Sequence, residues 1–600
     1  MNGNMLLQSI ALPILAGITC LFMPDRVRGL VKSIAILVAS LSVFYSVKIF
    51  MQKPLCWPTE GPRIFVADNL SGFIGIGISI FTILVTIYSF GYIGKSFGRY
   101  FGYILMTLGS SLGVAFSNNF IALLVFWRFL GLTLYILVNM SESKSSSEAA
   151  KKAIIIIGGT DAIMIFGIGL VWMATGNFSM EITPLSLNTA LPLAAYLSIA
   201  IASFAKAGAI PFHSWLPDVA EHGPTPVTAY LPASLDKLLG IYLLARASLN
   251  LFAMNNVSNF ILLSVGSITI ILAVLFALVQ HDLKRLLGYH AVSQVGYMVL
   301  GIGTGNPIGI AGGIFHMINH AIYKSCLFLA SGNVEKETQT TDLDKLGGLA
   351  RYMPVTFISF LIASLSISGI PPFNGFVSKW MIYQGIIESA SAKNPLWVVW
   401  LSCAMFGSAL TLASFMKLLH SVFLGRSAAD FSRVKESPLS MTFPVMVLAA
   451  LCVIFGILAF SLPLAIFIAP AISKNIVYLG VWQPVLATFL IFIGIIIGLF
   501  VYFVSRHKAF RSTAPFVGGE DASGLARVSG TEFYDTIKNI KWLGRLYGKE
   551  EAKLLDIYEV GSRGTFSFSG ILQWLHNGIL PTYMVWCLVG MLILFFILMK

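Results

Sequence analysis

The sequence predicts an all-α protein that crosses a membrane many times. Hydrophobic residues fill 57% of the 600 positions and charged residues only 11%, too little polar material to cover a water-facing surface. The apolar residues come in repeated stretches of roughly 18 to 28, the length a helix needs to cross about 30 Å of hydrocarbon. Basic residues gather in alternate loops, as they do in multi-pass proteins. Long continuous apolar stretches exclude an outer-membrane barrel, whose strands alternate over about ten residues.

Spans are expected near 5–23, 29–49, 70–93, 100–116, 119–140, 152–175, 191–210, 224–249, 258–279, 286–303, 308–331, 354–387, 396–424, 440–468, 480–504 and 579–599, about sixteen helices in all. The first has no small-residue cleavage site and reads as an ordinary membrane helix. The formal charge of +13 is topogenic. Arg26, Arg28, Lys32, Lys95, Arg99, Lys144, Lys151, Lys152, Lys284, Arg285, Lys345, Arg351, Arg426, Arg433 and Lys435 occupy one set of loops, whereas the other set carries little beyond Lys53, Arg63, Arg246, Lys393 and Lys474. The first set is expected to face the cytoplasm, with both termini on the outer side of the cell's inner membrane. Nucleic-acid binding is not expected.

Cys20, Cys56, Cys326, Cys403, Cys452 and Cys587 are scattered without CxxC spacing, so no zinc or iron–sulfur site is expected on this chain. No Gly-rich phosphate loop or dinucleotide fingerprint is present, and no strands are expected.

Two segments resemble each other: Lys206-Ala-Gly-Ala-Ile-Pro211-Phe-His-Ser-Trp215 and Gly369-Ile-Pro371-Pro372-Phe-Asn-Gly-Phe376. Proline removes a backbone bond and breaks a membrane helix. Breaks at Pro211 and at Pro371 and Pro372, in matching places of two halves, point to an inverted repeat with a polar path between; two unrelated kinks are the alternative. The halves run over 100–250 and 258–424, with five helices each. The domain reading is therefore 1–99 for N-terminal helices, 100–250 and 251–425 for two half-channels, 426–505 for further core helices, 506–578 for an amphipathic region and 579–600 for a terminal span.

A charge inside a membrane helix is costly and is a functional candidate by default. Lys206 precedes the first break, and Asp236 and Lys237 lie mid-span in the next helix. As chain neighbours they point about 100° apart and are expected to pair with other helices. His290 comes next. His316, His320 and Lys324 follow at i, i+4 and i+8 on one helix face, and Lys379 lies just beyond the second break. Histidine relays protons through either ring nitrogen, so the row suits proton conduction; a structural ion pair, a zinc site or a hydrogen-bonded core pair are the blander readings. Between Thr531 and Gln573, Lys538, Lys541, Arg545, Lys549 and Lys553 alternate with Leu543, Tyr547, Leu554 and Tyr558, suggesting an amphipathic helix on the membrane or on a partner, or a solvated linker.

The run Lys206 to Pro217, the Gly223-Pro224-Thr225-Pro226 turn, Asp282 through Tyr297, Phe315 through Lys324, and Gly369 to Lys379 resemble the antiporter-type subunits of respiratory complex I and the Mrp antiporters. The resemblance covers roughly 65–425. It implies about fourteen core transmembrane helices, two inverted five-helix repeats, broken helices and conduction of protons or sodium. The tail, with Gly518, Gly519, Glu520, Gly530 through Tyr534, Leu575 through Gly578, Pro581 and Tyr583, is similar to large antiporter-like subunits of energy-converting membrane-bound hydrogenases and formate hydrogenlyase. That similarity implies a C-terminal lateral helix followed by a final transmembrane helix. It also implies membrane-arm and peripheral redox subunits as partners, holding iron–sulfur clusters and nickel–iron or quinone chemistry, with no redox site on this chain. An Mrp-type cation/proton antiporter subunit is the alternative.

One position departs from the family. Its fifth helix usually carries a glutamate after an aromatic, and here Trp127 is followed by Arg128. Arginine keeps its proton and cannot switch. Asp161 and Asp236 are the available carboxylates, and one of them is expected to pair with Arg128; a silent first half-channel is the competing expectation.

Overall fold

A computed structural model describes residues 3–390, 395–425, 431–472, 475–478, 480, 483–504 and 534–599. Gly518, Gly519, Glu520 and Gly530 to Phe533, which carry part of the tail resemblance, lie outside the described residues, as do Arg426, Lys393 and Lys474.

The chain is almost wholly helical, and the helices stand close to where apolar patterning places them. In order they are Asn4–Leu21, Arg28–Gln52, Asn69–Tyr92, Phe97–Phe116, Phe120–Asn139, Lys144–Thr175, Ala190–Ala207, Trp215–His222, Thr225–Leu251, Asn256–Leu278, Leu283–Gly303, Pro307–Thr338, Pro354–Ser368, Asn374–Glu388, Trp397–Leu424, Leu439–Ile457, Phe460–Ile472 and Pro484–Val504. Sequence signals start many of them: side chains of Asp68, Asn119, Ser143, Asn255, Asp282 and Asn306 each accept a backbone N–H of the first helical turn, supplying partners that the helix itself cannot.

Among the described residues eleven helices are long and apolar enough to cross a membrane, fewer than the sixteen stretches expected. The difference has a physical cause. Leu283–Gly303 and Pro307–Thr338 are full-length helices, but their His, Lys, Gln, Asn and Ser residues lower the mean hydropathy, and burial inside the bundle makes lipid-like composition unnecessary. The stretch 354–387 is divided into Pro354–Ser368 and Asn374–Glu388; 440–468 is interrupted at Leu458, and its first part, Leu439–Ile457, is among the eleven.

Loop contacts sort the helix ends onto two faces. Loops 53–68, 117–119, 176–189 and 252–255 are joined by Phe65 with Ser117, Asn119 with Ser179, and Leu185–Ser186 beside Phe252–Ala253. On the opposite face Lys95 meets Glu142, Asp25 takes the backbone N–H of Ser96 and Phe97, and Asp282 bridges to Asp342. The second face is the basic one. The expectation of no strands is corrected in a small way: Leu55–Trp57 pairs antiparallel with Phe65–Ala67, and Leu185–Ser186 pairs parallel with Phe252–Ala253. These loops cap helix ends, where their backbone groups need partners outside any helix.

Five helices run from Phe97 to Leu251 and five from Asn256 to Leu424, the fourth of each set broken; the first set starts on the basic face and the second on the other. Pro307–Thr338 is buried from Ile308 to Val334 and packs against both sets. Gly266 and Gly296 cross so closely that a Cβ on Gly296 would lie 2.6 Å from the Gly266 carbonyl oxygen, the small-residue contact that lets membrane helices approach.

Residues 540–600 form a separate unit. The expected lateral helix is not continuous: Lys541–Glu551 and Ile557–Leu575 are separated at Ala552 to Asp556, where Lys553 has positive φ, and Asp535–Lys538 ends before the unit begins. Leu580–Leu598 is a membrane-length apolar helix.

Candidate functional site

The first break begins one residue after Ala207. Gly208 takes a left-handed backbone (φ +83°) that closes the Ala190–Ala207 helix, a conformation glycine adopts without a Cβ penalty. The chain then turns back through Pro211, so that the Trp215 indole N–H reaches the Ala205 carbonyl at 3.0 Å. This fold-back buries Lys206 completely; it is not at an interface where its amine could reach water along its stem.

Its Nζ lies 3.5 Å from Asp236 Oδ1 and 4.9 Å from the centre of the Trp127 ring. The pair is in ionic contact without hydrogen-bond geometry: Lys206 Nζ and both Asp236 oxygens have no hydrogen-bond partner among the described residues. Asp236 is aimed there by a wide helical turn at Leu231–Leu235. Pro232 cannot donate to the ladder, and within the same turn the Ala229 carbonyl takes hydroxyls from Ser234 and Ser325. Lys237, the next residue, points to the Trp215 ring at 5.6 Å. The two neighbours thus diverge, as their spacing requires.

Arg128 pairs with Asp161, at 3.4 Å, and also reaches the Gly158 carbonyl at 3.1 Å. The other Asp161 oxygen accepts from the Trp127 indole at 2.8 Å. Two buried carboxylates therefore serve two cations, Asp161 with Arg128 and Asp236 with Lys206, and Trp127 stands between them.

The second break mirrors the first. Gly369 (φ +81°) ends Pro354–Ser368, the chain passes through Pro371 and Pro372, and Asn374–Glu388 carries Lys379 back beneath the break. Lys379 Nζ donates to the Ile367 carbonyl at 2.8 Å and lies 4.7 Å from the Tyr297 ring centre. Asn374 is clasped to the histidine helix: its amide donates to Asn319 Oδ1 at 3.0 Å, Asn319 donates to the Asn374 carbonyl at 3.0 Å, and Ser366 donates to the Asn374 side chain.

The histidines differ in kind. His316 is held at both ring nitrogens, by Ser378 Oγ at 2.9 Å and Gln294 Oε1 at 3.1 Å, with Tyr323 close by. His290 meets Ser414 Oγ at 2.7 Å through Nε2 alone. Neither nitrogen of His320 has a partner among the described residues, and neither does Lys324 Nζ. Rings fill the intervals: Tyr323 between His316 and His320, Tyr297 between His316 and Lys379, and Phe415 between His290 and Lys324.

Most buried polar atoms in proteins are hydrogen-bonded. Among the described residues the row holds several buried atoms without a hydrogen-bond partner, on Lys206, Asp236, Lys237, His290 Nδ1, His320 and Lys324. A buried amine over an aromatic face is supported by the ring without being fixed by a hydrogen bond. On the basic face a cavity of about 450 Å³ is lined by Glu142, Glu221, His222, Lys284 and Glu335 among others. Lys284 reaches Glu335 at 2.6 Å. At its rim, Lys95 hydrogen-bonds Glu142 and holds that carboxyl below the ordinary carboxylate range.

The sequence reading missed the ring partners Trp127, Trp215 and Phe415, since aromatic residues are common in membrane helices and carry no spacing signal. It also passed over Lys417, which is buried and donates to the Leu278 and Gln280 carbonyls at 2.9 Å. That lysine closes a helix C-terminus and stands apart from the row.

Residues 117–411 match the family described as NADH:quinone oxidoreductase/Mrp antiporter, transmembrane region. This chain carries a domain of that family. Among curated relatives, subunit A1 of the Na(+)/H(+) antiporter of Staphylococcus epidermidis is 35% identical over 402 residues, 62% of this chain and 50% of that protein. Chain 5 of the NAD(P)H-quinone oxidoreductase of a Picosynechococcus species is 32% identical over 434 residues, 66% of this chain and 64% of that one. The chain thus spans about half the length of the antiporter subunits it matches. A chain of the membrane-bound sulfane sulfur reductase, an archaeal respiratory membrane complex, superposes with a TM-score of 0.81 over 99% of this chain and all of that one, at 23% identity, a likeness of fold. The matched region of the NADH:quinone oxidoreductase/Mrp domain includes Arg128, both breaks and the whole row.

Proposed function

We propose that this chain is the ion-translocating, antiporter-like subunit of a multi-subunit complex in a cell's inner membrane, and that protons move along Lys206, Asp236, Lys237, His320, Lys324, His316, His290 and Lys379. The observation that carries the reading is the row itself: fully buried ionisable groups, most without fixed partners, strung between two broken helices. Asp161 and Arg128 are the charge pair that sets the state of Lys206. The half-channels 100–250 and 251–425 are the working units. The basic face is read as cytoplasmic, which puts the N-terminus outside.

Two driving arrangements fit. In the first, partner subunits with iron–sulfur clusters and nickel–iron or quinone chemistry drive the movement; the fold likeness to a respiratory complex over 99% of the chain supports it. In the second, sodium is exchanged for protons; the 35% identity to an Mrp-type subunit supports that. The test uses the intact complex in sealed vesicles with a pH-sensitive dye. Lys206→Ala and Lys379→Ala are each expected to abolish most proton movement, and full movement in both variants overturns the proposal. Dye response to an imposed sodium gradient, set against response to a reductant, separates the two arrangements.

A further inference from the structure

Arg128 has a second side that the conducting row does not use. It is the ninth residue of Phe120–Asn139, roughly 12 Å along the helix from Phe120 and roughly 16 Å from Asn139 at 1.5 Å per residue. It therefore sits near the middle of the membrane. Its side chain is 47% exposed on the outside of the bundle, while Asp161, its partner, is 2% exposed. The surrounding surface is apolar: Ile121, Val125, Leu132 and Ile155 are all exposed. One cation thus stands alone in the centre of an otherwise lipid-like face.

A guanidinium has five N–H donors. Both interactions made by Arg128 use Nη1, to Gly158 and Asp161; Nε and Nη2 have no partner among the described residues. Hydrocarbon cannot supply acceptors, and an exposed charge at this depth is strongly disfavoured. The nearer helix end lies roughly 12 Å away at 1.5 Å per residue, too far for the snorkelling guanidinium to reach a lipid headgroup. The missing group must come from protein.

We propose that the face built by Phe120–Asn139 and Lys144–Thr175 is an interface with a transmembrane helix of a partner subunit, and that this helix presents a carboxylate to Arg128 at mid-membrane depth. Arg128 then bridges two acids, one inside this chain and one outside it. Asp161 links through Trp127 to Lys206, so a change of charge on the partner's acid is felt at the first half-channel. The inference rests on the reading of this chain as a subunit of a complex and names the face by which it docks.

The test places a benzophenone amino acid at Val125 and, separately, at Leu132 in the assembled complex, with irradiation and mass-spectrometric mapping of the adducts. The expected adduct is one transmembrane segment of one membrane subunit with an Asp or Glu within a helical turn of the cross-link. Arg128→Asp is then expected to lower co-purification of that subunit by roughly tenfold, and changing the mapped acid to Lys in the same complex to restore most of it. Arg128→Lys, which keeps the charge, should retain the subunit. Adducts confined to lipid, a mapped segment without a carboxylate, or an unchanged subunit ratio in Arg128→Asp would overturn the inference. If those results come with normal proton movement and normal co-purification of other subunits, the docking face is wrong and the proposed function stands.

Discussion

At the scale of single residues, the proposed function has the row trade stability for the ability to carry charge. Lys324 is fully buried with rings for neighbours and no hydrogen-bond partner. Burying a polar or charged group without a partner is costly, and an apolar side chain of similar volume removes that cost. Lys324→Met is therefore expected to raise the thermal midpoint of the purified complex while proton uptake falls to background; a variant that is both stabilised and active removes Lys324 from the pathway. The two histidines one turn apart should separate differently. His316→Ala abandons hydroxyl and amide partners and opens a cavity, at a cost of about 2–5 kcal/mol. His320→Gln breaks no hydrogen bond and should leave folding nearly unchanged while proton movement drops. Thermal unfolding with dye uptake on both variants checks the contrast. These members of the row were legible in the sequence because hydrocarbon tolerates ionisable groups so poorly. Their arrangement was not: that Asp161 takes Arg128 and Asp236 takes Lys206 depends on which way the wide turn at Pro232 rotates one helix.

At the scale of elements, Pro211 and the Pro371–Pro372 pair located the breaks, and the glycines made them. Gly369 needs its left-handed backbone, and a methyl there would come 3.1 Å from Lys379 Cδ. Gly369→Ala is expected to destabilise by about 1–2 kcal/mol from backbone strain and to reduce proton uptake by displacing Lys379. Normal uptake in that variant would show that the amine position is not critical. The same substitution at Gly208 meets Leu216 Cδ1 at 2.8 Å and Lys237 Nζ at 3.3 Å, so it disturbs the first half instead. The amphipathic tail was read less well. Its charge pattern runs smoothly from Thr531 to Gln573, but Lys553 in a positive-φ turn divides it, and periodicity alone does not mark a single left-handed residue.

At the scale of the whole molecule, the alternation of basic loops matches the two faces defined by loop contacts. Single cysteines at Glu142 and at Glu60 should react with a membrane-impermeant maleimide from opposite sides of sealed vesicles; labelling of both from one side refutes the alternation. One ion pair ties the less basic face to the core. Asp68 caps Asn69–Tyr92 and is gripped by Arg246 of the Thr225–Leu251 helix, at 2.5 and 3.0 Å. Burial pushes the Asp68 carboxyl up, but Arg246 and Ser71 outweigh it and hold the carboxyl at about 2. The folded value lies below the unfolded one near 3.9, so this contribution is present above pH 4 and is lost as pH falls from about 4 toward 2. Asp68→Asn should flatten that part of the stability curve, measured by thermal unfolding across the interval.

The amide clasp between Asn319 and Asn374 has a mechanical meaning. Asn319 lies between His316 and His320 on one rigid rod, and Asn374 opens the helix that carries Lys379. Two hydrogen bonds therefore bolt the arm beyond the second break to the histidine helix. The backbone of the first break is tied to Thr269 of a different helix. Straightening the second hinge must shift the histidines with it, so lysine position and relay geometry there form a single coordinate, like a latch that opens and closes a circuit with one stroke.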